Sequence, residues 1–203
     1  MNFIKSRIEK WKSKSTWGKV SDLLFIAIMV LLIFPDGRML YRKALLQTGL
    51  FNMGTSFYDE NIDFTKEASA VVILDRAGNT MDLSHFSGKV TFVNFWATWC
   101  PPCRAELSSI IDLYEQYKGN PGTQFLLITH EDFSTTDAFL AKQNLPADLP
   151  VFKLMVDYQG SIFSGSLPTT AVIDKEGKVA YLESGMANYT DKAFVEGFNK
   201  LLN

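Results

Sequence analysis

Two cysteines, three residues apart, stand where an apolar run ends and a helical pattern begins, and the 203-residue chain has no others. Lys89 to Trp96 ahead of them is rich in β-branched and aromatic residues and reads as a buried central strand. Behind them, Leu107, Ile110, Ile111 and Tyr114 recur at helical spacing. That spacing predicts a helix from Pro101 or Pro102 to about Tyr117, stopped by Gly119-Asn120-Pro121-Gly122. Cys100 and Cys103 therefore belong to a strand-to-helix junction. At a helix start the free backbone N–H groups and the helix dipole favour a thiolate, which is the nucleophile of disulfide exchange. A second thiol three residues on can reach back and resolve a mixed disulfide. Proline is tolerated in a first helical turn because its missing N–H had no partner there. Pro101 and Pro102 nevertheless remove two donors, so Cys100 is expected to be more acidic than a free cysteine, but less so than with donors at both intervening positions.

Two plainer readings of the pair stay open beside the redox one. A structural bridge closing so small a loop constrains little of the unfolded chain. A zinc site is numerically possible with His85 and His130, but these lie fifteen residues before Cys100 and twenty-seven after Cys103, which is not finger spacing. His85 reads as a loop residue, and His130 with Glu131 as a solvated or capping pair at the end of a strand.

The surrounding pattern alternates strands and helices. Val71 to Leu74 reads as a strand, Asp75 to Asn79 as a turn, and Thr80 to Leu83 as an antiparallel return. Phe125 to Thr129 is a second buried strand. Ser134 with Asp137 marks a helix start, that helix running to about Gln143. Val151 to Val156 is a further strand. Thr170 to Ile173 and Val179 to Leu182 form a hairpin across Asp174 to Lys178. Phe194, Val195, Phe198, Leu201 and Leu202 give a closing amphipathic helix. The sum is an α/β domain, a mixed sheet covered by helices.

Charge divides the chain. Residues 1–43 carry nine Lys and Arg against Glu9, Asp22 and Asp36, whereas residues 44–203 carry eleven against nineteen acids. An acidic body is a poor nucleic-acid groove. The basic end precedes an apolar stretch from Val20 to Phe34, about 22 Å of helix against the roughly 30 Å of a hydrocarbon core. A cleaved signal, an uncleaved anchor and a buried core helix compete for it. Phe34-Pro35-Asp36-Gly37-Arg38 offers no small-residue cleavage pattern, and Trp11, Trp17 and Lys19 can lengthen the span at the interface, so the anchor is favoured. Six Lys and Arg within residues 1–20 against three within 36–50 place the N-terminus in the cytoplasm and the body outside it. Met39 to Phe51 reads as a surface-lying or linker helix.

Asn94-Phe95-Trp96-Ala97-Thr98-Trp99-Cys100-Pro101-Pro102-Cys103 resembles the active-site segment of thioredoxin-fold proteins. Gly88-Lys89-Val90, Glu106 and Leu167-Pro168-Thr169-Thr170, followed by Ile173-Asp174 and Gly177, bring it closer to the membrane-tethered TlpA/ResA-like branch. The resemblance covers about residues 65–203. It implies a thioredoxin-like fold and thiol–disulfide exchange outside the cytoplasm. It makes Cys100 the exposed nucleophile, Cys103 the resolving thiol, Pro168 a cis-proline beside them, and Glu106 an acid that handles protons. Asn94 stands where soluble thioredoxins carry a buried Asp, which leaves Glu106 or water as proton acceptor. Ser108 replaces a proline common in the family, so the helix kink is expected to be weaker. A helix-start acid such as Glu106 is also favourable without any catalysis. Trp96 reads as core; Trp99, Pro101, Pro102, Leu167 and Pro168 are the candidate substrate-binding residues. A thiol peroxidase pattern fails, because Ala97 and Val93 stand where Thr or Ser and Pro are needed.

These expectations assemble into a basic cytoplasmic tail (1–19), a transmembrane anchor (20–35), a juxtamembrane linker (36–64) and a thioredoxin-like domain (65–203). The expected function is reduction of protein disulfides, fed by an upstream thiol–disulfide electron donor, from a single-pass position in the cell inner membrane with the C-terminal domain in the periplasm or an equivalent space. The competing expectation is a non-catalytic membrane-held interaction module with a structural disulfide. The chemistry calls for no cofactor and no metal.

Overall fold

The computed structural model describes residues 15–33, 57 and 62–203. The chain separates into two units, Met1–Thr48 and Gly49–Asn203. In the first, α1 spans Thr16–Ile33, and Trp17, Leu23, Leu24, Phe25 and Ile26 on it are exposed. Its 18 residues make about 27 Å of helix, and Lys19 and Asp22 interrupt its first half. Among the described residues no helix is long and apolar enough to cross a membrane. The tail up to residue 14, the end of the expected anchor at 34–35 and the stretch Met39 to Phe51 lie outside the described residues.

The second unit is built on one mixed sheet. Its strands are β1 (Ile62–Asp63), β2 (Val72–Leu74), β3 (Thr80–Asp82), β4 (Val90–Phe95), β5 (Thr123–Thr129), β6 (Val151–Leu154), β7 (Thr169–Ile173) and β8 (Lys178–Ser184), in the order β1-β8-β7-β4-β5-β6-β2-β3. The pairs β4/β5 and β5/β6 are parallel and the rest antiparallel. The helices are α2 (Pro101–Tyr117), α3 (Phe133–Lys142) and α4 (Lys192–Leu202). The linker expected over 36–64 is described at Phe57 and at its end, where Ile62 and Asp63 pair with Val179 and Lys178 and the Phe64 side chain is buried.

Strand alternation sorts the core into two layers. Phe92, Phe125 and Leu127 join Leu107, Ile110 and Leu113 of α2, Leu140 of α3 and Phe194 and Phe198 of α4. Val93, Phe95, Leu126 and Ile128 face the other way, onto Phe64, Ile73, Leu83, Ile162 and Phe163. This period of two, with both faces covered, explains why β4 is buried along its whole length. Phe95 stacks on Phe163 with ring centroids 4.3 Å apart. Gly197 on α4 is required by close approach, since a Cβ there would meet the Phe57 ring at 2.2 Å. Phe57 in turn packs against Tyr181 and Phe194.

Three local expectations shift. Helix α3 begins earlier than the Ser134–Asp137 pattern predicts, with Asp132 as its N-cap residue. The Asp132 carboxylate makes no cap hydrogen bond and pairs with Lys153 instead, so the tertiary ion pair displaces the local capping signal. The strand expected over 151–156 ends at Leu154. His85 lies on a short 3₁₀ helix, Leu83–Phe86, started by the Asp82 side chain, rather than in an irregular loop.

Candidate active site

The Cys100 backbone is extended and forms the N-cap of α2, with Pro101 and Pro102 opening the helix. Because neither proline has an N–H, the available donor is that of Cys103, which reaches the Cys100 Sγ at 3.3 Å. The two sulfurs are joined in a disulfide, their Cα atoms 5.3 Å apart. Helix α2 then runs unbroken to Tyr117, consistent with Ser108 in place of a proline. The Leu167–Pro168 peptide is cis. Pro168 is buried, and Thr169 behind it pairs with Phe95 at the end of β4. Leu167 packs against the cluster that holds both cysteines.

Cys100 was expected to be exposed and is not: in the oxidised pair it keeps 3% of its surface, and Cys103 none. Both cysteines belong to the core layer formed with Trp96 and Leu107. Cys100 is nevertheless flanked along the chain by exposed residues. The exposed groups around it are Trp99, at 69%, with Pro101 and Pro102. Trp96, three residues earlier, is 1% exposed and packs near Phe139, as a core residue should. Trp96, Trp99, Glu131, Asp157, Phe163 and Leu167 line a cleft of about 320 Å³ beside the dithiol.

Glu106 is the largest departure from the plain helix-start reading. It is wholly buried, so its charge has no access to water and the dipole argument alone does not explain it. Asn94 on β4 donates to its Oε1 at 2.9 Å; the Ala187 N–H and the Tyr189 hydroxyl reach Oε2 at 3.2 and 3.4 Å. Burial pushes the carboxyl up to about 8, against the partial compensation of those three donors. Asn94 spends its other amide hydrogen on Thr170 Oγ1 at 2.8 Å, and Tyr189 donates to the same oxygen at 2.7 Å. Asn94 is thus a donor to both Glu106 and Thr170. Glu106 sits three residues beyond Cys103, on the same face of α2.

The sequence did not disclose Ala187 and Tyr189. Tyr189 follows β8 in a short irregular run two residues before the α4 cap Asp191, a place with no periodic signal. Glu131 was expected to be solvated or to cap, and it does neither: its half-buried carboxylate accepts from the backbone N–H and the hydroxyl of Thr98, in the turn ahead of Cys100. His130 beside it is exposed. Among the described residues no group of His, Cys, Asp and Glu could hold a metal ion.

A dithiol capping the helix that follows the central strand, with a cis-proline leading the antiparallel neighbour, defines a thioredoxin-fold domain. The Redoxin family model matches residues 59–197. Thiol-disulfide oxidoreductase ResA of Bacillus thuringiensis subsp. konkukian is 33% identical, over 70% of this chain and 85% of its own. The protein of the same name from Geobacillus kaustophilus is 32% identical over 76% and 91%. Among solved structures, a thiol:disulfide interchange protein DsbE from Chlorobium tepidum superposes with a TM-score of 0.55 at 25% identity, over 65% of this chain and 92% of that one. The chain belongs to the TlpA/ResA-like family and is a thioredoxin-like thiol–disulfide oxidoreductase.

Proposed function

We propose that the Cys100–Cys103 pair reduces disulfides of client proteins on the extracytoplasmic side of the inner membrane, from a domain held there by the apolar segment 20–35. The observation that carries this reading is a disulfide closed across the first turn of α2, with exposed Trp99, Pro101 and Pro102 beside Cys100 and the cis Leu167–Pro168 peptide leading the strand next to β4. In the reduced enzyme the Cys100 thiolate attacks one sulfur of the client disulfide. The Cys100–client bond forms, the client's own S–S bond breaks, and its other sulfur leaves as a thiolate that takes up a proton. Cys103 then gives its proton to Glu106 and attacks Cys100 Sγ. The Cys100–Cys103 bond forms and the second client sulfur leaves with the electron pair. The client gains two electrons and the enzyme pair loses them; an upstream thiol donor runs the sequence backwards, with Glu106 returning the proton to Cys103.

Trp99, Pro101, Pro102 and Leu167 surround the place where a client segment must lie, and Pro168 fixes the turn that brings Leu167 there. The reducing direction rests on the family likeness, since oxidising compartments need dedicated reductants. Anchoring is supported by the run of exposed apolar side chains Leu23 to Ile26 next to a basic flank.

The test is Cys103→Ser in the full chain, expressed in its own cells. It should accumulate a mixed disulfide between Cys100 and a client in the membrane fraction, inaccessible to reagents added from the cytoplasmic side. A folded variant that forms no adduct overturns the catalytic assignment. An adduct confined to soluble cytoplasmic extract overturns the placement while leaving the chemistry.

A further inference from the structure

The Tyr189 hydroxyl is placed between two acceptors. Thr170 Oγ1 holds it at 2.7 Å, and Glu106 Oε2 lies within reach at 3.4 Å. The ring itself has no freedom. It meets Phe92 edge-on at 5.1 Å and Phe194 at 5.1 Å, and the residue is wholly buried. Only the O–H direction can change, and Thr170 does not depend on it, because Asn94 also donates to Thr170 Oγ1.

We infer that Tyr189 is a positioning residue for Glu106: its hydroxyl stays on Thr170 while the carboxyl is protonated and turns to Oε2 when that proton leaves. A buried carboxylate without enough donors is costly. The backbone N–H of Ala187 and the amide of Asn94 are fixed donors present in both protonation states. Tyr189 is the donor that can be added on ionisation, and it needs no backbone movement to do so. No bond to carbon or sulfur changes; the O–H proton remains on Tyr189, and the mobile proton passes between Glu106 and Cys103. This inference rests on the reading of Glu106 as the proton-handling acid. The other titratable groups of this layer are Tyr181 from β8, which acts electrostatically on Tyr189, and, once reduced, Cys103 on α2 and Cys100 at its N-cap. Asn94 from β4 and Thr170 from β7 do not titrate.

Two measurements separate the inference from its foundation. The first uses the oxidised full chain, in which the cysteines do not titrate. Infrared absorption of the protonated Glu106 carboxyl, isolated by subtracting the E106Q spectrum, is followed against pH. Tyr189→Phe keeps the ring in its cage and deletes only the donor, so the Glu106 midpoint should rise by about one unit. Replacing Tyr189 by 3-fluorotyrosine, a stronger donor, should move it the opposite way. The second measurement is the release of thionitrobenzoate from a preformed Cys100 adduct, which reports attack by Cys103. Its pH profile should move with the infrared midpoint in Tyr189→Phe, and Tyr189→Phe should add nothing in an E106Q background. An unmoved midpoint in Tyr189→Phe, or equal shifts in both Tyr189 variants, overturns the inference. If Tyr189→Phe does not fold, the fluorotyrosine protein decides alone: a lower midpoint supports the inference and an unmoved or higher one overturns it. A thionitrobenzoate profile that E106Q leaves unchanged instead removes Glu106 from the proton path, whatever the infrared midpoints show. Absence of any protonated Glu106 band overturns both.

Discussion

The Glu131 carboxylate holds Thr98 twice, taking its backbone N–H at 2.6 Å and its hydroxyl at 2.7 Å. Glu131 follows the end of β5, so this pair ties the loop carrying Trp99 and Cys100 to the neighbouring parallel strand. The site is thereby built on the sheet rather than on a free loop.

Removing that tie should be felt as stability first. Glu131→Ala leaves a partly buried Thr98 N–H without its acceptor and should cost about 1–2 kcal/mol, a fall in melting temperature of roughly 3–8 °C. Glu131→Gln keeps an acceptor oxygen and should lose less than half as much. Calorimetry of the oxidised proteins is the check; equal losses for the two variants would mean that side-chain volume, not the paired hydrogen bonds, matters at this position.

Trp99 invites the opposite experiment. Its ring is mostly exposed and lines the cleft beside the dithiol, so Trp99→Ala should leave stability within about 0.5 kcal/mol of the parent. Exposed aromatic anchors carry much of the binding energy at recognition surfaces, and reduction of a peptide disulfide should slow by about tenfold, corresponding to ~1.4 kcal/mol. Paired thermal melts and kcat/KM values decide it. A large melting shift with unchanged kcat/KM would make Trp99 a packing residue.

The buried Glu106 predicts a particular pH dependence of folding. Desolvation raises its carboxyl from 4.5 to about 8. Between those values the folded protein keeps a proton that the unfolded chain has released, so this group's stabilising contribution is complete below about 4.5 and declines as pH rises toward 8. The slope is at most about 1.4 kcal/mol per pH unit. Urea unfolding at pH 5 and pH 8 should show the parent losing stability over that interval relative to Glu106→Gln, which has no proton to retain. Parallel curves for the two proteins would place an ionised Glu106 in the folded state throughout.

How much of this could be read in the residues depends on whether the cause is local. The β4 strand, the α2 helix and the β7–β8 hairpin were legible because Lys89 to Trp96, Leu107 to Tyr114 and Thr170 to Leu182 carry their own periodicity and turn chemistry. The dithiol at a helix start followed from the same local reasoning. What escaped was set by distant contacts. Asp132 is the N-cap of α3 without the usual side-chain cap, its carboxylate being engaged by Lys153, twenty-one positions away. The residues alone leave Glu106 open between a proton-handling acid and a plain helix-start acid, because its partners Ala187 and Tyr189 are eighty-one and eighty-three residues distant. The burial of Cys100 is also invisible in the sequence, since it depends on a core layer that brings Trp96, Leu107 and Phe194 together from separate elements.

The central claim is that Cys100 is the sulfur that meets clients and that its bond to Cys103 opens and closes as part of the cycle. The direct measurement is alkylation of the full chain after mild reduction, with each cysteine's labelling rate followed by mass spectrometry at neutral pH. The account predicts that the bridge opens under mild reductant and that Cys100 then labels at least about tenfold faster than Cys103. A bridge that survives such treatment in the folded protein, or two thiols that label at the same rate, would contradict it.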